Sequence, residues 1–202
     1  SYLKQHDREV FFDAEHFFDA FARNREYALE ALRTAADAGA DVLVLCDTNG
    51  GGLPHDIEAA TREVVDATGG GYRTPAVKIG IHTHNDSALA VATSLAGISG
   101  GADIVQGTIN GYGERCGNAD LTAIIPILCL KMGYPCLSSD NLKKLKKVSR
   151  FVSETANIPP LASRPFVGKS AFCHKGGIHV SAVMKNPVAY EHIDPELVGG
   201  SR

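Results

Sequence analysis

The first half of the chain carries four apolar runs of strand length, at residues 9–12, 41–46, 76–81 and 103–107. Longer stretches with helical periodicity lie between them. Residues 27–38 set Ala28, Leu29, Leu32, Ala35 and Ala36 on one face, closed by Gly39 as a C-cap. Residues 57–67 and 88–98 read the same way. Parallel strands need a crossover connection, and they are buried on both faces. Continuous apolar strands separated by helices therefore predict an α/β fold with a helix-covered parallel sheet.

A weak repeat supports this reading. Ala38-Gly39-Ala40-Asp41-Val42 and Gly100-Gly101-Ala102-Asp103-Ile104 both run from a helix end straight into a strand. Four βα units of roughly thirty residues make half of a (β/α)8 TIM barrel; an open doubly wound sheet is the alternative. The pattern changes near residue 138. Ser139 or Asp140 can cap a charged helix running through Leu142, Leu145, Val148, Phe151 and Val152 to about Asn157, where Ile158-Pro159-Pro160 breaks the chain. A short helix is expected at 178–184, stopped by Pro187. The expected organisation is a half barrel at 1–137 and a small helical linker subdomain at 138–202.

Composition narrows the function classes. With 20 Lys and Arg against 23 Asp and Glu, a net charge of −3 gives no electrostatic reason to expect nucleic acid or a membrane surface as partner. Runs such as Val42-Leu43-Val44-Leu45-Cys46 are too short to span a bilayer, and no signal-peptide pattern opens the chain. Five cysteines, odd in number and without a CxxC pair, read as reduced thiols of a cytoplasmic protein. Ser1 at the start and Gly199-Gly200-Ser201-Arg202 at the end suggest a piece of a longer protein.

Polar side chains gather where strands end. In Ile81-His82-Thr83-His84-Asn85-Asp86 the imidazoles sit at i and i+2, on one face of a strand, and can converge on one cation; Asn85 or Asp86 would cap the next helix. Two hydrogen-bonded histidines would explain the pair equally well. After the fourth run comes Gly107-Thr108-Ile109-Asn110-Gly111-Tyr112-Gly113-Glu114-Arg115-Cys116-Gly117-Asn118, whose glycines allow close folding over a ligand. Its bland alternative is a structural loop with a Glu–Arg pair. It lacks the lysine of a P-loop. Asp13-Ala14-Glu15-His16 and Asp47-Thr48-Asn49-Gly50 follow the first two runs, so four successive junctions carry polar groups, as an active site at barrel strand ends would. Ala171-Phe172-Cys173-His174-Lys175-Gly176-Gly177-Ile178-His179 adds two histidines and a lysine. No nucleophile elbow is present.

Together, HTHND, GTINGYGERCGNADL, AFCHKGGIHVSAV and Tyr190-Glu191-His192-Ile193 resemble the 2-isopropylmalate, homocitrate and citramalate synthases, members of the DRE-TIM metallolyases. The resemblance runs from about Asp7 to the end and is strongest to the citramalate synthase branch. It implies a (β/α)8 barrel, of which this chain carries strands five to eight, followed by a linker subdomain. It implies an acyltransferase that condenses acetyl-CoA with a small 2-oxo acid, pyruvate giving citramalate, in branched-chain amino-acid biosynthesis. His82, His84 and Asn118 match metal positions for Mg, Mn or Zn. Glu15 and Thr48 match positions that contact the 2-oxo acid, Glu15 also being a candidate catalytic group. His179 matches a subdomain histidine implicated in proton transfer within a homodimer. The family's first-strand Arg-Asp pair has no counterpart here, so the chain by itself is expected to be inactive. The alternative activities are those of a 2-isopropylmalate or homocitrate synthase, or of a metal-dependent lyase or aldolase of the same superfamily; a non-catalytic regulatory or assembly fragment is the reading from a different class.

Overall fold

A computed structural model describes residues 2–69 and 77–201. They fall into two compact units, Ser1–Ala119 and Asp120–Arg202.

The first unit holds β1 (Phe11–Ala14), β2 (Val42–Asp47), β3 (Lys78–Thr83) and β4 (Ile104–Gln106). Its helices are α1 (Tyr2–Gln5), α2 (Phe17–Arg23), α3 (Arg25–Asp37), α4 (Pro54–Thr68) and α5 (Ala90–Ser99). The sheet order is β1-β2-β3-β4 and every pairing is parallel. Sequential order without reversal excludes the doubly wound alternative, whose order turns back at a switch point. It is the winding of a (β/α)8 barrel. The sheet is also curled. The outer strands of a flat four-stranded sheet would stand about 14 Å apart, yet Gln106 on β4 donates to Asp13 on β1 at 3.1 Å.

Alternation divides the side chains between two faces. Leu43, Leu45, Ile79 and Ile81 point to the helices and pack with Leu32, Ile57 and Val64, all fully buried. Val42, Val44 and Cys46 form the opposite face with Ile104. The register pairs Phe11, Asp13, Gly80, His82 and Gln106 with that same face.

Several element boundaries shift, α4 for example starting at Pro54 instead of residue 57, and three of the shifts bear on the site or its support. The first strand begins at Phe11 instead of residue 9, because the Val10 carbonyl is taken by Asp41 and Val42 and its N–H by the Asp41 carboxylate. The third extends to Thr83, placing His82 within the ladder; the Ala76 end of that run lies outside the described residues. The helix expected from residue 88 starts at Ala90, since Ala88 sits at φ 58 and Asn85 Oδ1 accepts from the Ala90 N–H.

The second unit contains α6 (Leu121–Leu130), α7 (Ser139–Leu142), α8 (Leu145–Ala156) and α9 (Gly177–Lys185), with single 3-10 turns at Pro187–Ala189 and Pro195–Val198. The single charged helix expected after residue 138 is two helices. Ser138, not Ser139 or Asp140, supplies the cap, accepting from the Asn141 N–H. Asn157 ends α8 in the left-handed conformation. Asp120 caps α6 through Oδ1 while its other oxygen accepts from Arg164, so this aspartate serves the fold. No helix among the described residues is long and apolar enough to cross a membrane.

Candidate functional site

The site of the first unit lies at the C-terminal strand ends. His82 is paired in register with Cys46 and Gln106, and His84 follows one residue beyond the strand. Their rings meet through Nε2, 3.2 Å apart. Two nitrogens bound to one cation at about 2.1 Å would stand about 3.0 Å apart at a right angle and about 3.4 Å apart at the tetrahedral angle. The observed separation falls between these. Burial, then His82 and Arg115 beside it, pushes the His84 pKa down, which keeps the ring neutral as a ligand requires.

The backbone of Asn118 is brought alongside His84 because the glycine-rich loop is stitched onto the end of β3. His84 and Asn118 form an isolated antiparallel bridge; the Asn85 N–H donates to Gly117 O and the Ala119 N–H to Thr83 O. Gly117 adopts φ +93, and a Cβ there would overlap the Gly111 carbonyl oxygen, so the loop can close only over glycine. Asn118 Oδ1 and His84 Nδ1 are both buried without a hydrogen-bond partner. An orphaned buried carbonyl oxygen is costly unless something else binds it. Among the described residues no three His, Cys, Asp or Glu side chains gather to hold an ion. The two imidazole nitrogens thus fit part of a coordination shell, the orphaned Asn118 oxygen on the bridged backbone beside His84 is a donor of suitable chemistry, and the rest is left to other groups.

Glu15 and Thr48 meet directly: the Thr48 hydroxyl donates to Glu15 Oε2 at 2.7 Å and accepts from the His16 N–H at 2.7 Å. Arg115, which has φ 53, binds both Asp86 oxygens at 2.8 and 3.0 Å and the Thr48 carbonyl at 2.8 Å. It holds the Asp86 pKa below the usual carboxylate range. The Glu114–Arg115 contact is 3.8 Å and open to solvent, so the loop's ion pair is formed with Asp86. His179 belongs to the second unit, on α9, where its ring stacks on Tyr190 with centroids 4.6 Å apart.

Gln106 of the concave face escaped the sequence reading, and Asp13 entered it only as one of the polar groups after the first run. His82 Nδ1 lies 3.0 Å from Gln106 Oε1, and Gln106 reaches on to Asp13. Gln106 is the one uncharged polar side chain in its run, and Asp13 shares a strand face with Glu15 by two-residue spacing. Those were the available signals.

A family model described as HMGL-like matches residues 2–152. The chain belongs to the HMGL-like family. A second model, homocitrate synthase post-HMGL domain-like, matches residues 166–202. The HMGL-like sheet is accordingly half of a TIM barrel, as its strand order indicated. The (R)-citramalate synthase of Synechocystis sp. is 53% identical over all of this chain, which spans 37% of that relative. The 2-isopropylmalate synthase of Sulfolobus acidocaldarius is 39% identical, again over the whole chain and 49% of the relative. The carboxyl transferase domain of Rhizobium etli pyruvate carboxylase superposes with a TM-score of 0.58 over 77% of this chain and 25% of that one. At 21% identity this last likeness speaks for the fold alone.

Proposed function

We propose that the protein containing this chain condenses acetyl-CoA with a small 2-oxo acid, pyruvate before others, and hydrolyses the thioester to release CoA. The observation that carries this reading is the pair of Nε2 atoms 3.2 Å apart at a barrel strand end, in a chain 53% identical to an (R)-citramalate synthase. The lower 39% identity to a 2-isopropylmalate synthase favours pyruvate over a bulkier 2-oxo acid.

His82 and His84 would hold a divalent cation, Mg, Mn or Zn, with Asn118 Oδ1 beside them. Such a cation supplies Lewis acidity to the carbonyl of the 2-oxo acid. The chain's own residues do the remaining work. Thr48, its hydroxyl fixed between Glu15 and the His16 N–H, positions the substrate together with Glu15. A base removes a methyl proton of acetyl-CoA, and we assign this to His179 on α9, which matches the subdomain histidine implicated in proton transfer by the resemblance. The carbanion forms a carbon–carbon bond to the keto carbon, whose oxygen takes up a proton. Water then cleaves the thioester and CoA leaves as the thiol. The same reading makes the whole protein a cytoplasmic homodimer of branched-chain amino-acid biosynthesis.

The test is release of free CoA by the full-length protein with acetyl-CoA and pyruvate, 2-oxoisovalerate or 2-oxoglutarate. Pyruvate is expected to give the highest kcat/KM, and His82→Ala to lower it by several orders of magnitude. No thiol release with any 2-oxo acid removes the assignment; full activity in His82→Ala removes the metal role.

A further inference from the structure

The polar groups of the concave face form a chain whose proton positions can be deduced. A carboxylate only accepts hydrogen bonds, whereas a carboxamide donates at its nitrogen and accepts at its oxygen. Asp13 Oδ1 lies 3.1 Å from one end of the Gln106 amide, which must therefore be Nε2. That orientation turns Oε1 toward His82 Nδ1, 3.0 Å away. Facing an oxygen that only accepts, Nδ1 must carry the ring hydrogen, and in the neutral ring Nε2 is then bare.

The sequence continues one step further. With no ion between the rings, the bare His82 Nε2 faces His84 Nε2 at 3.2 Å, so His84 donates there and its own Nδ1 is bare; a cation held by both Nε2 atoms would move that hydrogen to His84 Nδ1. This agrees with a His84 Nδ1 that is buried without a partner. A bare buried acceptor is the milder defect, because it strands no hydrogen. Every donor from His84 to Gln106 thus points the same way, toward Asp13.

We propose that Gln106, anchored by Asp13, is a positioning residue that holds His82 in the Nδ1-protonated tautomer and so reserves its Nε2 lone pair for a divalent cation. This rests on the metal reading above and adds two residues to it, on β1 and β4, that join the two outer strands through the site. Outer partners of this kind fix ring orientation and tautomer in metal sites, and their loss weakens binding by about 10- to 100-fold.

The direct test is a long-range proton–nitrogen spectrum of the full-length protein, 15N-labelled at histidine and stripped of metal by chelation. His82, assigned by its loss in His82→Asn, is expected to show a pyrrole-type Nδ1 and a pyridine-type Nε2; the opposite tautomer overturns the proposal. Two variants address the ion. Gln106→Met removes the acceptor at similar volume. Asp13→Asn leaves Gln106 in place but allows its amide to turn over, offering a hydrogen to Nδ1. Each is expected to weaken Mn2+ binding, measured by calorimetry, by about 10- to 100-fold with an unchanged circular dichroism spectrum. Unchanged affinity in either folded variant overturns the proposal. A parent protein that binds neither Mn2+ nor Zn2+ removes the cation reading, and the tautomer spectrum still accepts or rejects the Asp13–Gln106–His82 chain by itself.

Discussion

Cys46 shows how the sheet sets the chemistry of one side chain. It faces the concave side beside His82, is almost fully buried, and its thiol is pushed up to about 12, by burial first and then by the charges of Glu15 and Asp13. At pH 8 about one molecule in ten thousand would carry the thiolate, which is the reactive form. Iodoacetamide at pH 8 should therefore modify exposed Cys116, Cys136 and Cys173 while Cys46 stays unlabelled until the protein is unfolded. Peptide mass spectrometry reads the order, and labelling of Cys46 as fast as Cys173 would contradict the burial argument. At this scale the histidine pair was legible, because two-residue spacing fixes a shared face. Gln106 was not, since a bond from β4 to β1 depends on the curl of the sheet, and curl has no local signature in four separate runs.

Elements were legible where period and cap agreed, and misplaced where a side chain outbid the period. Asp41 is the clearest case. Its carboxylate takes the Lys4 ammonium at 2.8 Å and the Val10 N–H at 2.7 Å, joining α1 and the start of β1 to the foot of β2. The Lys4 bond first, then the Val10 N–H, hold its pKa below the ordinary 3.8. A carboxyl group lowered in the folded state stabilises the fold above its unfolded value and loses that contribution as pH falls through the folded value. Asp41→Asn should accordingly lower the urea midpoint at pH 7, with the difference from the parent shrinking below pH 3.8. A difference independent of pH would show that packing, not charge, is responsible. The split between α7 and α8 had no comparable signal: Ser138, Ser139 and Asp140 are all competent caps, and the packing of Leu142 and Leu145 chooses among them.

For the molecule as a whole, the helix-covered parallel sheet was legible because helices alternate with apolar strands, and the family from joint motifs; the winding order was not, since a barrel and a doubly wound sheet share that alternation and differ only in strand order. The sheet of the first unit ends on β1 and β4, which have no further strand beside them among the described residues. Phe11, Phe12 and Tyr27 are 43%, 37% and 71% exposed along the β1 side, where they line an apolar groove with Ala31 and Ala35. An open strand edge beside apolar surface invites pairing with another chain. Residues 1–202 expressed alone should therefore elute as concentration-dependent oligomers in size-exclusion chromatography with light scattering, and Phe11→Lys with Tyr27→Lys should reduce them. A parent chain that stays monomeric at every concentration would contradict this. The hold of Arg115 on Asp86 and on the Thr48 carbonyl has a consequence for inheritance. The βα units look like exchangeable cassettes, but a crossover between residues 86 and 115 in a shuffled gene separates the guanidinium from its carboxylate. Chimeras cut there should need both partners from one parent, whereas those cut between residues 15 and 41 leave that trio whole.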